Sequence, residues 1–202
     1  MLPLSLLKPP ATGARRRVGL LGGSFNPAHE GHRHISLQAL KRLKLDEIWW
    51  LVSPQNPLKP VKGMAPLKDR LAQARAIAGK GRIKVTDIET RLGTRYTADT
   101  IAALQRQFPR LNFVWLMGAD NLAQISRWDR WQSIFNSVPI AVFDRPAYSL
   151  SALNAKAAQR YASRRIVAEQ AGELAGLEPP AWTFIRSRLH PASATQIRAQ
   201  RK

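Results

Sequence analysis

The segment Val18-Gly-Leu-Leu-Gly-Gly-Ser-Phe-Asn-Pro-Ala-His-Glu-Gly-His32 decides the fold of this chain. Its apolar start, residues 18–21, is typical of a short buried strand, and the pair Gly22-Gly23 ends that strand. Helical periodicity of the apolar residues begins after Gly31. The segment therefore predicts a strand that leads through a glycine turn into a helix.

A turn of this kind is a natural site for an anion. It directs backbone N–H groups and the positive end of a helix dipole to one place, where a phosphate group binds well. His29 and His32 lie in the turn, and an imidazole can donate hydrogen bonds to phosphate oxygens. Taken alone, two histidines would also fit a solvated turn with one structural histidine. Neither G-x-x-x-x-G-K-[ST] nor G-x-G-x-x-G after a strand occurs in the chain.

The length and composition indicate one domain. A chain of 202 residues can bury most of its apolar surface without disulfides. The absence of cysteine excludes disulfides and cysteine-bound metals, and it agrees with a reducing compartment. No apolar run approaches the roughly 20 residues needed to cross a bilayer. We therefore expect a soluble, cytoplasmic protein without a membrane partner.

The net charge of +19 allows two interpretations. A basic surface can bind nucleic acid, and it can also attract small polyanions such as ATP. The basic residues are spread from residues 15–17 to Lys202 and are not gathered on one helix face. We therefore expect no dedicated nucleic-acid partner.

Residues 1–17 form a basic segment with three prolines and no acidic residue. Its apolar part, residues 4–7, is too short for a secretory signal and precedes the positive charge instead of following it. We predict a disordered or loosely docked extension, with a targeting peptide as the alternative. The single domain is then predicted at residues 18–202.

Strand and helix patterns alternate along the rest of the chain. The predicted strands, which are short and mostly apolar, cover residues 18–21, 47–53, 82–87, 112–118, 139–143 and 181–186. The predicted helices cover residues 32–44, 66–80, 97–108 and 149–176, a short stretch around Trp128 and Trp131, and a segment capped by Ser193. Thr97 is the predicted cap of the third helix. The alternation predicts an α/β, Rossmann-like domain with a doubly wound parallel sheet.

Residues 53–60, Ser-Pro-Gln-Asn-Pro-Leu-Lys-Pro, contain too many prolines for regular structure. They are predicted to form a loop at the carboxyl end of the second strand, where open α/β sheets place ligand contacts. A plain surface connection is the alternative.

The histidine turn, residues 22–32, fits the pattern G-G-[ST]-F-x-P-x-H-x-G-H. This pattern resembles the signature of the nucleotidyltransferase superfamily, which transfers a nucleotide from ATP or CTP to a phosphate. Four further blocks are S-P-Q-N-P-L-K-P at 53–60, R-Y-T-A-D-T at 95–100, M-G-A-D-N-L at 117–122 with R-W at 127–128, and S-A-T-Q-I-R at 193–198. In this order they look like the blocks of bacterial nicotinate-nucleotide adenylyltransferase.

The resemblance implies a reaction of NAD biosynthesis: nicotinate mononucleotide and ATP give deamido-NAD and pyrophosphate, with Mg²⁺ accompanying the nucleotide. A phosphomonoester with a second pKa of about 6 is mostly a dianion at neutral pH, so it needs no general base. The chain shows no obvious activated nucleophile. We therefore expect direct in-line displacement without a covalent intermediate, promoted by positioning and charge stabilisation. The Mg²⁺ should bind mainly through the ATP phosphates rather than in a protein cage.

The resemblance also implies an ATP site at the histidine turn and near the C-terminus. The implied catalytic residues are His29, His32 and Arg198, with His32 stabilising the transferred α-phosphoryl group. The implied ATP-binding residues are Gly22, Gly23, Ser24, Phe25, His29, His32, Ser193, Thr195 and Arg198. The alternative for Arg198 is a solvated arginine near a basic terminus.

The implied residues for nicotinate mononucleotide are Gln55, Asn56, Lys59, Thr97, Ala98, Asp120 and Trp128. Trp128 would stack on the pyridine ring, with a half-buried core aromatic as the alternative. Backbone N–H groups at Thr97 and Ala98 would hold the nicotinate carboxylate, so the acid form should be preferred over nicotinamide. Asp120 would accept a hydrogen bond from a ribose hydroxyl, with a helix cap as the alternative.

Asp129 departs from the resemblance, because the family often has an aromatic residue there. Its carboxylate would repel nicotinate if it turned inward, so we expect only its backbone to contact the ligand. Two rival functions remain. One is a related enzyme that uses nicotinamide mononucleotide or a phosphopantetheine acceptor, and the other is an inactive nucleic-acid-binding protein with the same fold. The sequence does not determine an oligomeric state.

Overall fold

The described residues form a sheet of seven parallel strands. The computed structural model describes residues 15–54, 63–145 and 148–186. The strands are β1 Arg16–Gly23, β2 Glu47–Val52, β3 Ile83–Thr86, β4 Leu111–Gly118, β5 Ile140–Phe143, β6 Arg165–Ile166 and β7 Trp182–Ile185. Their order is β3-β2-β1-β4-β5-β7-β6, and every neighbouring pair is parallel. The predicted doubly wound, Rossmann-like sheet is confirmed.

Helices connect the strands and cover both faces of the sheet. The α-helices are α1 Glu30–Arg42, α2 Leu67–Ala78, α3 Ile88–Leu92, α4 Thr97–Gln107, α5 Ala119–Gln124, α6 Trp131–Ser137, α7 Ser149–Leu153 and α8 Lys156–Arg160. Short 3₁₀ helices cover Ile125–Arg127, Ala162–Arg164 and Ala168–Gly176. No described helix is long and apolar enough to span a membrane.

Alternate residues of the central strands enter two separate cores. In β2, Trp49 and Leu51 pack on the side of α4 and α5, whereas Trp50 and Val52 pack on the side of α1 and α2. All four side chains are fully buried. The continuous apolar runs of β2 and β4 follow from this burial on both faces, which is typical of parallel sheets. We call these two sides the α4 face and the α1 face.

The position of the site follows from the strand order. The chain passes from β1 outward through β2 to β3, and then crosses to β4 on the other side of β1. The loops after β1 and β4 therefore leave the sheet in opposite directions. Their divergence opens a crevice at the carboxyl ends of these strands, where doubly wound sheets bind ligands.

The N-terminal boundary differs from the prediction by two residues. β1 begins at Arg16 rather than at residue 18, so part of the predicted extension belongs to the sheet. Arg16 and Arg17 pair with Leu111 and Asn112 of β4, and Nη2 of Arg16 lies 2.8 Å from Oε2 of the buried Glu47, contacts that the sequence pattern does not reveal. Residues 1–14 lie outside the described residues.

The prediction of one surface helix at residues 149–176 is wrong. This segment contains α7, α8, two 3₁₀ helices and the edge strand β6. Its alanines are largely buried rather than solvated, including Ala152, Ala157 and Ala171. Small side chains allow these short helices to pack closely against the core. An alanine-rich composition is compatible both with such short, buried helices and with one long surface helix, so it does not distinguish them.

Candidate active site

The histidine turn is held in place by its aromatic residue. Phe25 has a left-handed backbone, with φ of 45°, and its side chain is buried. Its ring stacks on Trp50 with ring centroids 5.0 Å apart, and it contacts His32 at 4.7 Å. Phe25 therefore anchors the turn to the α1 face and supports a histidine, which is a structural role.

The two histidines of the turn cap α1 together. His29 is the N-cap, and its Nδ1 accepts a hydrogen bond from the N–H of Gly31 at 3.1 Å. Nδ1 of His32 accepts one from the N–H of His29 at 3.2 Å, which completes a reciprocal capping box. The ring centroids lie 3.9 Å apart. Because each Nδ1 is an acceptor, the hydrogen of each neutral ring is on Nε2.

This capping box corrects the expected anion site. The prediction placed a phosphate on backbone N–H groups at the start of α1. The N–H groups of His29 and Gly31 instead donate to imidazoles, and the N–H of His32 donates to the carbonyl of His29 at 2.9 Å. The helix also begins at Glu30, two residues before the predicted start. An anion at this turn would therefore meet imidazole Nε2–H groups rather than these backbone amides.

A cavity of about 520 Å³ lies at the carboxyl ends of β1 and β4. Of the residues predicted for the site, those that line it are Gly22, Gly23, Ser24, Thr97, Asp120 and Trp128. The histidine turn thus begins in the wall of the cavity. The cavity wall, as far as the structure describes it, does not include Phe25, His29, His32 or Ala98.

The position of the histidines explains this separation. Gly22 and Gly23 belong to the cavity, but Phe25 already packs with Trp50 in the core of the α1 face. The turn therefore crosses the carboxyl ends of the strands, from the cavity to the core of the α1 face. A long ligand such as a nucleotide could lie across these strand ends, with one end in the cavity and the other at the histidines.

The first turn of α4 lies at the cavity wall. The helix begins at Thr97 and its N-cap is Tyr96, whose side chain makes no cap hydrogen bond. The prediction of Thr97 as the cap is therefore wrong by one residue, because Thr97 already has the first helical position. A helix start without a side-chain cap leaves the dipole and the first N–H groups available to compensate a ligand carboxylate.

The position of Trp128 is compatible with both of the roles that the sequence left open. It follows the 3₁₀ helix Ile125–Arg127 and packs against the core of the α4 face. It also lines the cavity. One part of the indole is therefore fixed by packing, while another part is exposed to a ligand.

The carboxylate of Asp129 is engaged by its neighbour. Arg130 Nε lies 2.6 Å from Oδ2 of Asp129, and Arg130 Nη2 lies 2.7 Å from Oδ2 of Asp99. These contacts raise the pKa of Arg130, and the hydrogen bond from Arg130 lowers the pKa of Asp99. The negative charge next to Trp128 is thus compensated by a cation, which reduces its repulsion of an anionic ligand.

Asp120 lines the cavity, and one of its two carboxylate oxygens is buried. Its Oδ2 lies 3.1 Å from Nη1 of Arg145, whereas its Oδ1 is buried and has no hydrogen-bond partner among the described residues. Gly118 creates the space for this carboxylate, because a Cβ at that position would collide with Oδ1. A buried acceptor without a partner is costly unless a ligand satisfies it. Asp120 is therefore suited to accept a hydrogen bond from a ligand hydroxyl.

Arg70 supports the site from outside the cavity wall, and the sequence analysis missed it. It belongs to α2 and is almost fully buried, which lowers its pKa. Its Nη1 donates to the carbonyls of Ser24 and Ser53, both at 2.7 Å, and its Nη2 donates to that of Pro54 at 3.0 Å. One guanidinium thus joins the beginnings of the loops after β1 and β2. The signal in the sequence was an arginine next to Leu71 on the buried face of α2.

Glu89 is the second residue that the sequence analysis missed. It lies in α3, its side chain is buried, and it lines the cavity. Burial raises its pKa to about 7, and hydrogen bonds from Ser53 and Thr100 oppose this shift. No sequence pattern distinguished this glutamate from a surface residue, because the helix that carries it has only five residues.

Six predicted site residues lie outside the described residues: Gln55, Asn56, Lys59, Ser193, Thr195 and Arg198. The first three belong to the segment that follows β2 in the sequence, and the others belong to the last motif of the chain. Their roles stay predictions.

Comparison with known proteins identifies the family. Residues 20–200 match the model of the cytidylyltransferase-like family. A relative from Cereibacter sphaeroides named "probable nicotinate-nucleotide adenylyltransferase" is 56% identical over 182 residues, which cover 90% of this chain and 96% of the relative. A relative of the same name from Methylorubrum extorquens is 52% identical and covers 91% of this chain and 100% of the relative. The chain belongs to the nicotinate-nucleotide adenylyltransferases. The resemblance predicted from the five sequence blocks is confirmed.

Solved structures of nicotinate-nucleotide adenylyltransferases share the fold. The nicotinic acid mononucleotide adenylyltransferase of Plasmodium falciparum, complexed with NaAD, superposes with a TM-score of 0.69 at 16% identity. The match covers 91% of this chain and 83% of that chain. A structure of the same enzyme complexed with APC gives a TM-score of 0.65 at 15% identity. At these identities the likeness concerns the fold alone.

Proposed function

We propose that this adenylyltransferase transfers the adenylyl group of ATP to nicotinate mononucleotide, giving deamido-NAD and pyrophosphate in the cytoplasm. The observation that supports this proposal is the arrangement of side chains at the carboxyl ends of β1 and β4. A cavity with a tryptophan, a helix start and a buried acceptor adjoins a turn with two imidazoles. The relatives from C. sphaeroides and M. extorquens carry the name of this activity, and the P. falciparum enzyme was solved in complex with NaAD.

The triphosphate of ATP would bind at the histidine turn. Nδ1 of His29 and of His32 accepts from the backbone, so each ring is oriented with its Nε2–H as the donor. In this proposal His32 stabilises the charge that develops on the transferred α-phosphoryl group, and His29 contacts the neighbouring phosphate. Ser24 lies at the carboxyl end of β1, where its hydroxyl can donate to the same phosphates. Ser193, Thr195 and Arg198 would complete this subsite from the last motif.

Nicotinate mononucleotide would bind in the cavity. Its pyridine ring would stack on Trp128, and its carboxylate would receive N–H groups from Thr97 and Ala98 at the uncapped start of α4. A ribose hydroxyl would donate to the unpartnered Oδ1 of Asp120. Gln55, Asn56 and Lys59, which follow β2 in the sequence, would also contact this nucleotide.

The reaction would be a direct displacement at the α-phosphorus. The phosphate of the mononucleotide is mostly a dianion at neutral pH, so it attacks without a general base. The main obstacle is the repulsion between two phosphates, which fixed donors and cations reduce by positioning and by charge stabilisation. Mg²⁺ would enter as the complex with ATP. No group of three or more His, Asp or Glu side chains in the described part of the chain could hold a metal ion.

Pyrophosphate release tests this function. The purified protein, ATP and Mg²⁺ are combined in turn with nicotinate mononucleotide, with nicotinamide mononucleotide, with phosphopantetheine and with no acceptor. We expect the highest kcat/KM with nicotinate mononucleotide, and deamido-NAD as the second product by chromatography. A higher kcat/KM with either of the other acceptors would contradict the proposal, as would release that does not depend on an acceptor.

A further inference from the structure

Glu89 lies in the cavity that we propose for nicotinate mononucleotide, but the reaction described above gives it no role. It comes from α3, where its carbonyl accepts the N–H of Thr94 at 3.0 Å, so its backbone is fixed. The helix ends at Gly93 in the left-handed conformation. The side chain is only 7% exposed, yet it lines the cavity together with Thr97 and Trp128. A carboxyl group is thus built into the wall that we assign to nicotinate.

We infer that Glu89 is a specificity-determining residue whose carboxyl takes up a proton when an acidic pyridine nucleotide binds beside it. The inference rests on the proposed function, because the acidic nucleotide is the proposed acceptor. In this arrangement the neutral carboxyl accommodates the nicotinate carboxylate, whereas the ionised carboxyl repels it.

The hydrogen-bond partners of Glu89 suit both protonation states. The hydroxyls of Ser53 and Thr100 bond to its carboxyl group. Thr100 Oγ1 also lies 3.2 Å from the carbonyl of Tyr96 and 2.9 Å from Thr94 Oγ1. When Glu89 is ionised, Thr100 can donate its single hydrogen to the carboxylate. When Glu89 is protonated, Thr100 can donate to Tyr96 and accept a hydrogen bond from the acid.

Both protonation states are accessible near neutral pH, because burial raises the pKa of Glu89 to about 7. No described residue forms an ion pair with it. On α3 itself, Arg91 pairs with Asp87 at 3.3 Å. The other charged residues of the cavity wall are Arg95, Asp120, Arg127 and Asp129. The charged residues of β2 and α4, which pack against α3, are Glu47, Asp99 and Arg106. The pKa of Glu89 is thus governed by burial and by the two hydroxyls rather than by a fixed countercharge.

The position of Thr100 connects Glu89 to the nicotinate carboxylate. Thr100 lies on α4, three residues after Thr97 and two after Ala98, whose N–H groups are proposed to hold that carboxylate. The nicotinate carboxylate would be a second negative charge at the same cavity wall, and it would disfavour the ionised form of the buried Glu89. Binding of nicotinate should therefore raise the pKa of Glu89, whereas the uncharged amide of nicotinamide should change it little.

The test compares two acceptors that differ only at this carboxylate. We measure kcat/KM for nicotinate mononucleotide and for nicotinamide mononucleotide from about pH 6 to about pH 8.5 and take their ratio at each pH. Because both acceptors carry the same phosphate, the effect of its ionisation cancels in this ratio. For the wild type we expect the ratio to fall with rising pH, by about tenfold for each unit by which nicotinate raises the pKa of Glu89. For Glu89→Gln we expect a ratio that does not change with pH and stays near the low-pH value of the wild type.

A calorimetric measurement keeps the inference testable if Glu89→Gln does not fold. Binding of each mononucleotide to the wild type is measured near pH 7.5 in buffers of different ionisation enthalpy, which gives the number of protons taken up. We expect uptake with nicotinate mononucleotide beyond that with nicotinamide mononucleotide. The inference would be overturned by equal proton uptake with the two mononucleotides, or by a wild-type kcat/KM ratio that does not change with pH. Either result would leave the proposed function intact as long as the enzyme transfers the adenylyl group to nicotinate mononucleotide. Absence of transfer to either acceptor would instead overturn the proposed function.

Discussion

The backbone N–H of His29 donates to Nδ1 of His32 over 3.2 Å. Because of this bond, Nε2 is the nitrogen of His32 that we propose as the donor to a ligand. The ring of His32 is oriented by the same capping box that begins α1. In our proposal the sequence motif therefore combines helix initiation with catalysis. In our account the motif owes its spacing of three residues to the capping box, because the N-cap and N3 positions are three residues apart.

Replacing His32 by Asn separates these two roles. The side-chain oxygen of Asn can accept from the N–H of His29 as Nδ1 does, but the variant lacks the Nε2–H donor. We expect the unfolding temperature to stay near that of the wild type, while kcat falls by about 100-fold or more, as when one transition-state donor is lost. His34→Asn, on the same helix but outside the capping box, is the control. A kcat for His32→Asn within about threefold of the wild type would refute the role of His32.

Gly118→Ala should impair binding of the acceptor without unfolding the protein. The added Cβ would displace the carboxylate of Asp120, whose Oδ1 is the proposed partner of a ribose hydroxyl. We expect KM for nicotinate mononucleotide to rise by about tenfold, as for the loss of one good hydrogen bond. Gly176→Ala is the matched control, since a Cβ there meets nothing within 4 Å. The explanation fails if both variants have the KM of the wild type.

Arg70→Met should disturb both nucleotide sites. The methionine can fill the space of the arginine stem, but the carbonyls of Ser24, Ser53 and Pro54 lose their common donor. We expect the free energy of unfolding to fall by about 2 kcal/mol or more and KM to rise for ATP and for the acceptor. Arg75→Met, on the exposed side of the same helix, should have little effect. A variant with normal KM values would show that Arg70 does not position the two loops.

The stability of the protein should depend on Glu89 and pH. Its pKa is raised from 4.5 to about 7 in the folded state, so between these values the folded chain binds a proton that the unfolded chain does not. Stability therefore falls as pH rises through this window, and the loss is on the order of 3 kcal/mol when complete. Chemical unfolding of the wild type and Glu89→Gln from about pH 5 to about pH 8 isolates this contribution. A difference between them that stays constant with pH would contradict the shift.

The sheet could be predicted from the sequence because its central strands are buried on both faces. β2 and β4 are nearly continuous apolar runs, and the turn and proline signals that bound them are strong. β6 was missed because two residues carry no periodicity, and its place depends on pairing with β7. The helix ends were shifted where side chains other than the usual capping residues begin the helix, as at His29.

The site was predictable only where a motif marked it. Trp128, Asp120 and Thr97 were found through their blocks, and the structure brings all three to one cavity. Arg70 and Glu89 act through buried contacts between segments that are distant in sequence, and no local pattern encodes such contacts. Burial of a charged side chain was the decisive signal, and it becomes visible only in the folded chain.

The central claim is that the histidine turn binds the triphosphate of ATP, and a crystal structure with a non-hydrolysable ATP analogue tests it most directly. The account predicts phosphate oxygens about 3 Å from Nε2 of His29 and of His32, with both Nδ1 atoms still bonded to the backbone. A triphosphate bound elsewhere, with neither imidazole in contact with it, would contradict the account.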